Sequence, residues 1–103
     1  MLDLYLANGV DPDMSNQDGN SLLMIAAYSG NLDAFEVLLK HQADVNKLNN
    51  RHQSPLAGAI FKKEDEIIDR LITAGADPHL GTPNAVDTAR MFGREDLLTR
   101  FES

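Results

Sequence analysis

The residues best able to bind a metal or move a proton in this chain are its three histidines, His41, His52 and His79. Paired metal ligands on a helix stand four residues apart, so that both rings share one face. No two of these histidines have that spacing, and none is flanked by a paired carboxylate in ligand register. The simpler reading is three turn residues on the surface. Asp11-x-Asp13-x-Ser15 opens like a calcium loop, which alternates oxygen ligands along a tight bend. Such a loop needs Gly at its sixth place and Glu at its twelfth. Asn16 and Leu22 stand there instead. Asp87 and Thr88 are adjacent, yet no base or nucleophile accompanies them. The chain has no Cys, which excludes thiolate zinc sites, a Cys nucleophile and disulfide staples. It also lacks a P-loop, a G-x-G-x-x-G and a G-x-S-x-G. The expectation is a protein that is not an enzyme, with no metal and no cofactor.

The elements that carry these residues repeat. Shifting residues 18–50 by 33 positions places Ser21 on Ser54, Leu23 on Leu56 and Ala26 on Ala59. The same step places Leu38-Leu39 on Leu71-Ile72 and Ala43-Asp44 on Ala76-Asp77. Shifting back places Leu39 on Leu6 and Asp44 on Asp11. A fixed period of this size marks a stacked solenoid, in which each unit buries its apolar face only against its neighbours.

Four units are expected: a partial repeat over 1–17, a full repeat over 18–50, a second over 51–83 with a shortened exit loop, and a closing cap over 84–103. Residues 1–9 read as the outer helix of a repeat whose inner helix is missing, with Leu2, Leu4, Tyr5 and Leu6 apolar. Leu2 and Tyr5 would leave an apolar edge. Ser21, Ser54 and Asn84 read as N-caps of inner helices, with Pro55 at the first helical position, where its missing N–H does no harm. Outer helices are expected over 32–41, 65–74 and 94–101. Leu97, Leu98 and Phe101 would face inward, while Arg94, Glu95, Arg100 and Glu102 would face water. Gln42, His52 and Lys63 stand where other repeats have Gly. If those backbones are left-handed, each non-Gly residue costs roughly 1 kcal/mol.

Composition limits the partners. Apolar residues make up 43% of the chain, enough for a folded core. The net charge is −7 and unevenly spread. Residues 1–39 hold six acids and no Lys or Arg; Lys40, Lys47, Arg51, Lys62 and Lys63 cluster in the middle against Asp44 alone. An acidic chain repels nucleic acid and anionic lipid, so neither is an expected partner. The longest apolar run, 22–28, falls far short of the ~20 residues that span a bilayer. The N-terminus has no basic region before its apolar residues, unlike a secretory leader, so the expected location is cytoplasmic.

Ser54-Pro55-Leu56, Ala26-Ala27, Gly30, Leu38-Leu39 and Ala43-Asp44-Val45-Asn46 resemble the T-P-L-H, A-A-x-x-G, L-L and G-A-D-V-N landmarks of the ankyrin repeat. The resemblance covers almost the whole chain. It implies an all-α fold, a solenoid of stacked helix-turn-helix units joined by hairpin loops. The stretches 54–62 and 85–94 further resemble small stand-alone ankyrin proteins of bacteria. The His of T-P-L-H is replaced by Met24, Ala57 and Asp87 in turn. Since that His ties neighbouring loops in the family, its loss implies loosely linked loops here.

The resemblance also implies a concave face lined by inner helices and hairpin loops. The positions that map to it are Tyr28, Ser29, Phe61, Lys62, Met91 and Phe92 on the helices, and Asn50, Arg51 and Gln53 on a loop; Gln17, Asp18, Asn20 and Leu48 also fall on the loops. Tyr28, Phe61 and Met91 occupy one place in three successive repeats. Either they anchor a protein partner, with Arg51, Lys62 and Lys63 drawing an acidic segment, or they merely close the gaps between inner helices. The expected function is a non-catalytic protein–protein interaction module. The alternative is an assembly element that self-associates through its incomplete N-terminal edge.

Overall fold

Three inner helices begin by one device. Ser21, Ser54 and Asn84 each leave the helix in extended backbone and turn a side-chain oxygen onto an N–H of the first turn, those of Met24, Ala57 and Asp87. This satisfies a donor that the helix start leaves orphaned. A computed structural model describes residues 14–101. In it the inner helices are α1 (Leu22–Ser29), α3 (Pro55–Phe61) and α5 (Ala85–Met91), and the outer helices are α2 (Leu32–Lys40), α4 (Asp65–Thr73) and α6 (Glu95–Phe101). Residues 1–13, with the expected first helix and the Leu2 and Tyr5 edge, lie outside the described residues.

Each inner helix packs on the outer helix that follows it, and α3 packs on both α1 and α5. The result is a stack 41 Å long and 24 by 21 Å across. Small residues let the inner helices approach: Ala26, Ala59 and Ala89 are buried at matching places. Phe35 and Leu38 of α2, Ile67, Ile68 and Leu71 of α4, and Leu97 of α6 complete the core, with Leu98 and Phe101 packed partly buried against it.

The three lost glycines keep the glycine backbone. Gln42, His52 and Lys63 all have positive φ, at 64°, 59° and 60°. The contrast between Gly19 and His52 has a steric cause. A Cβ on Gly19 would lie 2.5 Å from Asn50 Oδ1 and 2.7 Å from Asn50 N in the next hairpin loop. Beyond His52 the exit loop is shortened, and it is Gly81 that makes the close approach, to the His52 carbonyl. The His52 side chain is exposed, so it fits there.

The hairpin loops are tied together, contrary to the expectation from the missing His. Asn49 Oδ1 accepts from the Arg51 and Gln53 N–H groups, both at 2.9 Å, and shapes its own loop. Asn49 Nδ2 donates to Asn20 Oδ1 of the preceding loop at 2.8 Å and to Gln53 Oε1 at 2.7 Å. Asn50 adds two bonds backward, N–H to the Asp18 carbonyl and Nδ2 to the Gln17 carbonyl. Asn46 Oδ1 accepts from the Asp77 N–H at 2.7 Å, and the Thr82 N–H donates to the His52 carbonyl. An amide donates and accepts at once, so asparagines do here what the family's His does.

A second correction concerns Arg94. Its side chain is only one-quarter exposed, and it bridges Asp65 at the start of α4 at 3.0 Å and Asp96 at 3.2 Å. Glu36 of α2 meets Arg70 of α4 at 2.8 Å, and Asp69 of α4 meets Arg100 of α6 at 3.0 Å. The outer helices are thus stitched by charge pairs where their apolar contact thins.

Candidate functional site

The inner helices are short, and side chains three apart share a face. On that face stand Ile25 and Tyr28 of α1, Gly58 and Phe61 of α3, and Thr88 and Met91 of α5. Gly58 has no side chain at the middle of this row, and a groove of about 430 Å³ opens there. Tyr28 forms one wall; Ala57, Gly58, Phe61 and Lys62 form the floor and rim; Thr88, Met91 and Pro83 close the far side. Arg51 and Gln53 reach in from the second hairpin loop.

Tyr28 lies across Gly58. A Cβ on Gly58 would sit 1.6 Å from Tyr28 Cε1, far inside contact distance. The ring is therefore half-buried, and burial pushes its phenol pKa above the ordinary 10.0. Tyr28 closes the gap between α1 and α3 and also walls the groove. Phe61 and Met91 differ: 62% and 66% of their surfaces remain exposed, although each is a large apolar residue at a helix end. Phe92 packs edge-on against Phe61, with ring centroids 5.7 Å apart and planes at 76°.

Six of the nine residues expected on this face line the groove: Tyr28, Arg51, Gln53, Phe61, Lys62 and Met91. Ser29, Asn50 and Phe92 lie outside the lining. Ser29 Oγ donates to the Ala26 carbonyl of its own helix, and Asn50 is occupied by the loop contacts described above. Gly58, Ala57, Thr88 and Pro83 were not foreseen. A signal for Gly58 existed, since Gly inside a helix costs roughly 1 kcal/mol against Ala and so points to a close approach.

Among the described residues, no three His, Asp or Glu side chains converge as a metal site would require. His52 and His79 are exposed and His41 is partly covered, each in a turn or loop. No helix among the described residues is long and apolar enough to cross a membrane.

A family model for ankyrin repeats, in three copies, matches residues 1–82. The chain is 32% identical over 90 residues to a transient receptor potential cation channel subfamily A member 1 homolog of Caenorhabditis elegans, covering 85% of this chain and 7% of that protein. It is 35% identical over 83 residues to serine/threonine-protein kinase 12 of Arabidopsis thaliana, covering 81% of this chain and 18% of the kinase. It is 34% identical over 73 residues to ankyrin repeat and SAM domain-containing protein 6 of Rattus norvegicus, covering 70% of this chain and 8% of that protein. The chain thus spans a small part of each relative, so its likeness is to their repeats. Ankyrin repeats are in general protein–protein interaction modules without catalysis. On the family match and on the stacked helix pairs, this chain belongs to the ankyrin repeat family.

Proposed function

We propose that this chain is a non-catalytic module that binds a segment of a partner protein in the groove between its inner helices. Phe61 and Met91 serve as anchors and Tyr28 as the wall. The observation that carries this reading is the exposure of Phe61 and Met91, at 62% and 66%, at matching places on consecutive inner helices beside a groove. Neither residue is needed to fill the core. Large side chains left in water next to a concavity are a standing source of binding energy, and aromatic and Met side chains are enriched where proteins meet. Truncating one anchor should remove ~1–2 kcal/mol or more of binding free energy.

The test is affinity capture from lysate with the wild type beside a folded Phe61→Ser/Met91→Ser variant, with circular dichroism confirming equal fold. A protein held by the wild type and lost by the variant supports the groove. A partner held equally by both moves the site to the outer helices or the N-terminal edge and ends this reading. Self-association through residues 1–9 rests on sequence pattern alone, and a mass independent of concentration in light scattering counts against it. The unit boundaries after residues 17, 50 and 83, the cytoplasmic location and the bacterial origin are likewise our reading of the sequence.

A further inference from the structure

The chain carries sixteen acidic residues and nine basic ones, yet no carboxylate lines the groove, while Arg51 and Lys62 both do. Among the described residues, neither cation has an ion-pair partner, although Arg70, Arg90, Arg94 and Arg100 are all paired. Lys63, next to the rim, is exposed and unpaired as well. The third polar group points the same way. Gln53 Oε1 already accepts from Asn49 Nδ2, which orients the amide and leaves its Nε2 as the group with hydrogens to give. Thr88 is buried with its hydroxyl donating to the Asn84 carbonyl, and the Tyr28 hydroxyl can donate as well as accept, so neither demands a donor from an occupant. The rim therefore offers donors and positive charge, and an occupant has to bring acceptors and negative charge. A cationic ligand would face Arg51 and Lys62 with nothing to neutralise it.

Resting on the groove as the binding site, we propose that its occupant is an acidic peptide segment: a large apolar side chain set between Phe61 and Met91, with neighbouring Asp or Glu carboxylates held by Arg51, Lys62 and the Gln53 amide. Charge complementarity selects this chemistry. The guanidinium of Arg51 presents paired donors that match a carboxylate, and a groove with low-dielectric walls strengthens the attraction. Nucleic acid is disfavoured by the same observations. It would bring a run of phosphates against a chain of net charge −7 that offers three unpaired cations here. One or two carboxylates on a peptide meet that set without confronting the acidic remainder.

The experiment uses the full chain, immobilised, and a synthetic library of short peptides with one central Phe, Leu or Met. Its flanking positions are drawn from Asp, Glu, Asn, Gln, Lys and phosphoserine. Retained peptides are sequenced for the wild type, for Arg51→Gln/Lys62→Gln and for Phe61→Ser. All three substituted positions are exposed, and circular dichroism confirms the fold. The expected result is enrichment of Asp and Glu in the wild-type pool. That enrichment is lost in the charge variant, and the best acidic peptide binds roughly tenfold more weakly to it or worse, as loss of charge-assisted hydrogen bonds implies. Raising the salt should narrow that gap. Retention that depends on Phe61 but shows neutral or basic flanks overturns the acidic occupant and leaves the binding groove standing. Enrichment of phosphoserine over Asp and Glu overturns the carboxylate assignment. Retention indifferent to Phe61 overturns both. Stronger retention of a single-stranded oligonucleotide than of any peptide, measured in parallel, also overturns the proposal.

Discussion

Replacing Gly58 by Ala isolates the contact that shapes the groove. An added Cβ would lie 1.6 Å from Tyr28 Cε1, 2.5 Å from Cζ and 2.6 Å from the hydroxyl. Carbon atoms in contact sit about 3.5–4 Å apart, so the ring must retreat by about 2 Å. The backbone of α3 cannot move instead, because Ala57, Ala59 and Ile60 hold it with 7%, 0% and 1% exposure. A ring pushed toward solvent gives up on the order of 60–80 Å² of apolar contact, or ~1.5–2 kcal/mol at ~25 cal/mol per Å². Ala in a helix interior returns ~0.5–1 kcal/mol relative to Gly. The net change is about 1 kcal/mol of destabilisation, read in denaturant unfolding. The sign then reverses in a Tyr28→Ala background, where nothing occupies the space and Gly58→Ala should stabilise by ~0.5–1 kcal/mol. The cycle yields a coupling of about 1.5–2 kcal/mol between the two positions. A second readout is the phenolate titration. Tyr28, distinguished from Tyr5 by a Tyr28→Phe control, should fall back toward 10.0 in the Gly58→Ala protein. Stabilisation in both backgrounds with an unchanged Tyr28 titration would refute the packing of the ring across Gly58.

Four further outcomes are expected. Gln42→Gly and Lys63→Gly each relieve a left-handed non-Gly backbone, at φ 64° and 60°, and each should raise Tm by up to the equivalent of about 1 kcal/mol; a fall for both would contradict the strain. Asn49→Ala removes an amide that holds two loops, so stability should fall by ~2–3 kcal/mol, with faster hydrogen exchange at the Arg51 and Gln53 amides; unchanged protection there would remove Asn49 from its role. The Arg94 guanidinium holds the Asp96 carboxyl below its ordinary 3.8. A lowered folded-state pKa means the pairing supports the fold above 3.8 and is lost as pH falls through the lowered value, so Arg94→Gln should flatten the acid limb of a stability–pH curve. The raised phenol of Tyr28 acts at the other end. Its contribution is present below 10.0 and lost as pH rises through the raised value, and Tyr28→Phe should remove that alkaline loss.

Local signals were legible because local chemistry produces them. The caps at Ser21, Ser54 and Asn84, the Pro55 start and the stop at Gly30 follow from hydrogen-bonding and backbone rules that act within a few residues. Left-handed backbone at Gln42, His52 and Lys63 was legible because aligned repeats place Gly at the same turns. The loop ties do not follow from the family's His, because here asparagine amides, which also donate and accept, make them instead. Asn16 and Asn49 stand one repeat apart and shape their loops in the same way, so a signal was present. Arg94 was misplaced for a different reason. It stands just before α6, and only the placement of α4 beside it brings Asp65 within 3.0 Å.

The sequence by itself determined the period, the helix limits and the buried row of alanines, since each follows from turn chemistry and apolar spacing along one segment. The tertiary structure decided the groove. Its wall, floor and far side come from Tyr28, Gly58 and Met91, about a repeat apart along the chain, and Arg51 joins them from the loop before Gly58. Whether such residues enclose a space or fill it depends on how far apart neighbouring inner helices stand. That distance is set by the alanines between the helices and by one aromatic ring lying over a glycine, a contact that no pattern within a single repeat contains.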